Sequence, residues 1–155
     1  VSGAFMLLTA GVIERLGMLP EEYFFGYEDR EYCLRARRAG FRLLYQPRAV
    51  VHHEAGSSHK PVAALYLYNE TLSKILFRRR ALSPVAFRLW HLAYSLYVLL
   101  FLPFRHRLSP GTYLKGTEAR RLRSVMWSAI RDSMVSRQFR HNSRHVAAIQ
   151  EHVSL

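Results

Sequence analysis

Three carboxylates fall within the four residues EDRE, at Glu28, Asp29 and Glu31. An ionised carboxylate can take a proton from a hydroxyl, so this grouping suits general-base chemistry. Acidic residues in the first turn of a helix are also favoured by the helix macrodipole alone, and spacing by itself favours that plainer reading. The same dipole favours the charged form of Asp29, which a base requires. A second set of candidates is the pair His52 and His53, which follows an apolar extended run. A neutral imidazole there could ligate a divalent metal beside carboxylates. Neighbouring strand residues point to opposite faces, so at most one of the two would enter a given site. His59, His91, His106, His141, His145 and His152 show no convincing ligand spacing; the H-x3-H at 141 and 145 falls in a polar tail expected to be loose. Cys33, in mid-helix between Tyr32 and Leu34, reads as a packed thiol rather than a nucleophile. The chain has no G-x-G-x-x-G, phosphate loop, nucleophile elbow or C-x-x-C.

These residues must be positioned by elements that alternate between strand and helix over residues 1 to 60. AFMLL (4 to 8) has the length and composition of a buried strand. Thr9 is placed to cap a short helix carrying Val12, Ile13 and Leu16 on one face, which Gly17 ends. The irregular connection MLPEEYFFGY then leads into EDREYCLRARRAG, a helix with acids in its first turn, arginines in its last and Gly40 at C′. FRLLYQPRAVVHH reads as two extended pieces divided by Pro47, and EAGSS as a loop. This is the pattern of half an α/β domain. VSGAFMLL reads as a strand and not as a cleavable signal, so the chain is expected to begin within a fold.

From residue 61 the character changes. Residues 1 to 60 hold 8 Lys/Arg against 7 Asp/Glu, while residues 61 to 155 hold 15 against 4. The second region is therefore strongly basic, which suits an anionic partner. Pro61 is positioned to start a helix with Leu65, Tyr68, Leu72, Ile75 and Leu76 on one face, ending in three arginines. Residues 85 to 104 carry only Arg88 as a fixed charge, and Leu89 to Phe104 give 16 uncharged residues. That is short of the ~20 residues a membrane-spanning helix needs. Trp90, Tyr94 and Tyr97, with Arg88, Arg105 and Arg107 at the ends, instead suit a segment lying in a membrane surface; the plainer reading is a buried helix of a soluble bundle. A further helix, capped by Thr117, would bury Leu122, Val125, Met126, Ala129, Ile130 and Met134. Nucleic-acid binding is disfavoured because the aromatics sit inside apolar runs flanked by arginine rather than on an open basic surface. The single cysteine excludes an internal disulfide and fits a reducing compartment.

The order of three segments carries more than any one of them. SGAFMLL at 2 to 8, ERLGMLPEEYFFGYEDREYCLRARRAG at 14 to 40 and RLLYQPRAVVHHEAGSS at 42 to 58 together resemble the C-terminal half of the catalytic domain of family 2 glycosyltransferases, in particular bacterial rhamnosyl- and galactofuranosyltransferase-like members. The resemblance implies a GT-A fold, a Rossmann-like α/β layer over residues 1 to 60, followed by a basic, membrane-associated α-helical region over 61 to 155. It also implies an inverting transfer from a nucleotide-diphosphate sugar to a glycan or lipid-linked acceptor in cell-envelope polysaccharide synthesis, on the cytoplasmic side of the membrane. By the same resemblance Asp29 would be the base, and Glu28 and Glu31 would shape the acceptor pocket or hold sugar hydroxyls. Ser2, Gly3 and Ala4 would lie beside the sugar, with Gly3 allowing close backbone approach. Arg35 would be structural, tying its helix to neighbouring loops. His53, with His52 as the fallback, would be associated with a divalent metal, Mg or Mn, that stabilises the departing nucleoside diphosphate.

The chain departs from the family pattern in places. Pro20 stands where the family usually has Asp, and Glu31 replaces the commoner second Asp. No Asp-x-Asp and no nucleotide-binding βαβ unit are present, so these residues are expected to be inactive on their own. The alternatives are a non-catalytic glycosyltransferase-like protein and a basic membrane- or nucleic-acid-binding module.

Overall fold

A computed structural model of the chain describes residues 3–23, 26–53, 63–101 and 117–135. Among them lie the helices α1 (Ala10–Leu16), α2 (Glu28–Arg38), α3 (Ala63–Ala81), α4 (Pro84–Leu96) and α5 (Thr117–Val135), with a π-helical turn over Tyr97–Phe101 continuing α4. Ser2, Pro61, Arg105, Arg107 and the histidine-rich tail lie outside the described residues.

The local signals of the first two helices act as expected. Thr9 occupies the N-cap of α1, where its carbonyl accepts from the Val12 and Ile13 amides at 3.1 and 3.2 Å, although its hydroxyl makes no capping bond. Gly17, at φ 75°, donates to the Ile13 carbonyl and ends the helix. α2 closes in a Schellman turn. Phe41 donates to the Ala36 carbonyl at 3.0 Å and Gly40 to the Arg37 carbonyl at 3.1 Å, with Gly40 at φ 89° in a conformation that a side chain would strain. Tyr32, buried on α2, donates its hydroxyl to the Gly17 carbonyl at 2.8 Å, so α2 also holds the end of α1.

The strands expected at 4–8 and 41–53 are not found. Both segments are without helix, but no strand ladder is present among the described residues. Phe5, Leu7, Leu43, Leu44, Tyr45, Val50 and Val51 stand exposed. An extended segment becomes a strand only when a neighbour pairs with its amides and carbonyls. Branched and aromatic side chains favour extension without supplying that neighbour, so the described residues form helices and open extended arms rather than an α/β layer.

The core lies between α3, α4, the π turn and α5. Ile75, Val98, Met126 and Ile130 form its centre, with Leu67, Phe87, Trp90, Tyr94 and Trp127 packed around them. The expected α3 face is buried at Tyr68, Ile75 and Leu76, and Thr71 is buried with it. On α5 the expected face is correct at Met126, Ala129 and Ile130 and wrong at Met134, which is 61% exposed. Seven residues at 3.6 per turn bring Ser133 back to within about 20° of Met126, whereas eight carry Met134 about 80° away. Helical phase therefore selects the serine. Its hydroxyl donates to the Ile130 carbonyl at 2.6 Å, and Arg79 donates to its carbonyl at 2.8 Å.

His91 of α4 reaches the same serine, with Nε2 3.3 Å from Oγ. Since that hydroxyl already donates to Ile130, the imidazole is best placed to donate to it. Burial, reinforced by the Arg79 charge, holds the His91 pKa below its ordinary value. A base with a lowered folded pKa contributes stability that is complete above its unfolded value of about 6.5 and is lost as pH falls through the folded one. Urea melts below about pH 6.5 are therefore expected to show a smaller acid-induced loss for His91→Asn than for the unaltered protein. Equal losses in the two proteins would remove His91 as the cause.

Candidate active site

The approach to α2 is strained. Gly26 (φ 68°) and Tyr27 (φ 73°) adopt left-handed conformations in succession, and Tyr27 is the only non-glycine residue with positive φ among those described. Such a conformation costs a side-chain-bearing residue about 1–2 kcal/mol. It is supported by packing of the ring, with Phe77 at 5.5 Å between centroids and the Arg30 guanidinium 4.7 Å from the Tyr27 centroid. The Tyr27 carbonyl then accepts from Glu31 at 2.8 Å, and the next two residues, Glu28 and Asp29, stand at the start of the helix.

Asp29 ties two distant segments together. Its Oδ2 accepts from the Gly3 amide at 2.8 Å, and its Oδ1 accepts from Arg30 at 2.7 Å. The structure thus joins the start of the chain to EDRE across 26 residues. Two backbone donors orient the carboxylate, while each oxygen keeps a second lone pair for a proton. A methyl group built on Gly3 would meet Asp29 Cβ at 3.5 Å and Oδ2 at 3.6 Å, ordinary contact distances. The amide of Gly3, and not its missing side chain, therefore makes the approach to Asp29. Ala4 is exposed beside it.

Glu28 and Glu31 diverge. Glu28 Oε2 is shut off from solvent and makes no hydrogen bond, an acceptor left open in the first turn of α2. Glu31, 3% exposed, points to a different set of partners. Arg35 binds its Oε2 through Nε at 2.8 Å, and Arg80 of α3 lies 3.6 Å from its Oε1. Arg35 also donates to the Leu16 and Met18 carbonyls at 2.7 and 3.4 Å, which is the loop-tying role expected of it.

Arg80 went unnoticed in the sequence, where it reads as one of three arginines ending a helix. It also pairs with Glu22 and lies 5.6 Å from the centre of the Tyr23 ring. Burial works to raise the Glu22 pKa, but the bond and charge of Arg80, a backbone hydrogen bond and the Arg35 charge together outweigh it and leave the carboxyl below its ordinary value. Burial pushes the Tyr23 phenol up to about 12. Arg38 completes the joint by donating to the Arg80 and Ala81 carbonyls at 2.9 and 3.2 Å, satisfying the end of α3. No local pattern reveals these partners, which lie 42 to 58 residues apart.

His52 and His53 are exposed on the second extended arm. Among the described residues no three His, Cys, Asp or Glu side chains gather to hold a metal. The described residues alone therefore do not supply a ligand set for the expected Mg or Mn. Cys33 is buried and free, and burial raises its thiol pKa, in keeping with a packed side chain.

Residues 1–70 match the model of a family described as glycosyltransferase like family 2. The match takes in both Gly3 and the EDRE turn and runs into α3, so the segment holding the candidate base is glycosyltransferase family 2-like. No curated protein and no solved structure is matched.

Proposed function

We propose that this chain carries the acceptor side of an inverting glycosyltransferase, with Asp29 as the general base. The observation that carries the reading is the Gly3–Asp29 bond, which brings together two of the segments on which the family likeness rests. In the proposed step an acceptor hydroxyl gives its proton to the Asp29 carboxylate as its oxygen attacks the anomeric carbon. The carbon–oxygen bond to the nucleoside diphosphate breaks, and the configuration inverts. Glu28 Oε2, buried and without a partner, is suited to receive a hydroxyl of the acceptor or of the transferred sugar.

Rhamnose and galactofuranose are the sugars this reading favours, with a glycan or lipid-linked acceptor of the cell envelope. The GT-A fold and the division near residue 60 belong to the same proposal, in which the arms at 4–8 and 41–53 would take their strand partners from beyond the described residues. A metal bound at His53 would take further ligands from beyond the described residues, and no step here depends on it. The test is transfer by an Asp29→Asn form of the full-length protein, read against its affinity for the donor. Undiminished transfer would sink the assignment.

A further inference from the structure

Helix α4 has two apolar faces. One is turned into the core: Trp90 stacks on Tyr94 with ring centroids 5.1 Å apart, and Phe87 lies 6.2 Å from Trp90. Cations of α3 close over these rings, with Arg79 5.3 Å from the centre of Phe87, Arg78 5.6 Å from Trp90 and Lys74 5.5 Å from Tyr94. The other face is bare. Val85, Leu89, Leu92 and Leu96, at spacings of four, three and four, lie on one side of the helix and are all exposed, Leu89 by 65% and Leu92 by 59%. Leu99 and Leu100 extend the exposed apolar surface into the π turn.

A continuous aliphatic stripe of this kind marks an interaction surface. The charge beside it selects the occupant. No Asp or Glu occurs between Glu70 and Glu118, and Arg88 is the one fixed charge between Arg80 and Arg105. Arg88 is exposed at the edge of the stripe, between Val85 and Leu92 along the helix. Two copies paired on this face would bring arginine towards arginine without a carboxylate from the interval to offset them. An anionic surface accommodates both the leucines and the arginines. Among the described residues no helix is long and apolar enough to cross a membrane, which leaves the geometry of a helix lying on one.

We propose that α4 docks on an anionic lipid surface through Val85, Leu89, Leu92 and Leu96, with Arg88 at the headgroups. Composition points to Trp90, Tyr94 and Tyr97 as the interfacial anchors; the orientation is reversed for Trp90 and Tyr94, which face the protein, while Tyr97 stays exposed beside the aliphatic side that faces the lipid. The proposal stands independently of the transfer reading.

The test is sedimentation of the full-length protein with vesicles of phosphatidylglycerol and phosphatidylcholine, and with vesicles of phosphatidylcholine alone. Binding to the anionic vesicles is expected to fall at least tenfold, roughly, in a Leu89→Glu, Leu92→Glu protein, since each exposed leucine would bury most of its side chain in lipid. Both positions are exposed, so the helical circular dichroism should be unchanged; if it changes, Leu89→Ser with Leu92→Ser gives the same test more mildly. Arg88→Gln is expected to weaken binding about fivefold at low salt and to leave binding to neutral vesicles unaltered. Anionic-vesicle binding that ignores these leucine substitutions in a folded protein would overturn the proposal. So would a dimer of the unaltered protein, with no affinity for vesicles, that the leucine substitutions dissociate.

Discussion

With Asp29 as the proposed base, an Asp29→Asn form of the full-length protein is expected to transfer sugar about 10²–10⁴-fold more slowly than the unaltered protein, the usual contribution of a positioned base. The argument rests on what asparagine keeps. Its side-chain oxygen can still accept from Gly3 or from Arg30, the two amides that hold the carboxylate at 2.8 and 2.7 Å. One of those bonds is lost, at about 1 kcal/mol, which is too little to unfold a stable domain. The amide has no lone pair basic enough to take a hydroxyl proton. The loss should therefore fall on turnover, with donor affinity kept, measured as nucleoside diphosphate release from activated rhamnose or galactofuranose and as donor binding by calorimetry. A matching collapse of donor affinity would identify Asp29 as a structural residue, and normal turnover would remove it from the chemistry.

The second large effect is expected at Arg35. Substitution by alanine removes the close partner of a carboxylate that is 3% exposed, leaving Glu31 with Arg80 at 3.6 Å. It also releases the Leu16 carbonyl and uncovers Tyr32, whose ring centre is 4.8 Å from the guanidinium. Breaking a fully buried pair costs about 3–5 kcal/mol; Arg35 is partly solvated, so about 2–3 kcal/mol is expected. That corresponds to a fall of roughly 5–10 °C in the thermal midpoint for a domain of this size. Arg35→Lys should recover only part of it, because one ammonium cannot serve the carboxylate and two carbonyls in the guanidinium's fork geometry. A midpoint within a degree or so of the unaltered protein would show that Arg80 alone suffices for Glu31.

How much of this was legible depends on the reach of each signal. α2 was readable end to end because its acids, its arginines and Gly40 act within a turn of their own position. The extended arms at 4–8 and 41–53 were readable as non-helical but not as unpaired, since a ladder belongs to two segments and neither one encodes the other. Ser133 was lost to Met134 because both fit the spacing of the face, three and four residues after Ile130, and apolarity favours the methionine. α4 was misoriented for a related reason. When both faces of a helix are apolar, composition cannot tell which one the core will take, and only the arginines and Lys74 of α3 above the rings decide it. In the candidate site, the Asp29 position was visible and its bond to Gly3 was not, while the Glu31–Arg80 pair had no local trace at all.

The bonds from Arg38 to the last carbonyls of α3 have a consequence for geometry at a surface. α4 begins at Pro84, a few residues beyond Ala81, so the helix bearing Asp29 and the helix bearing the leucine stripe are braced at one corner. The corner behaves as a set square. Were α4 to dock on lipid as proposed, the height of the Asp29 carboxylate above the headgroups would be set by this joint. An acceptor tethered in the bilayer would then be measured by its stem, and only one whose hydroxyl stands at that height would meet the base.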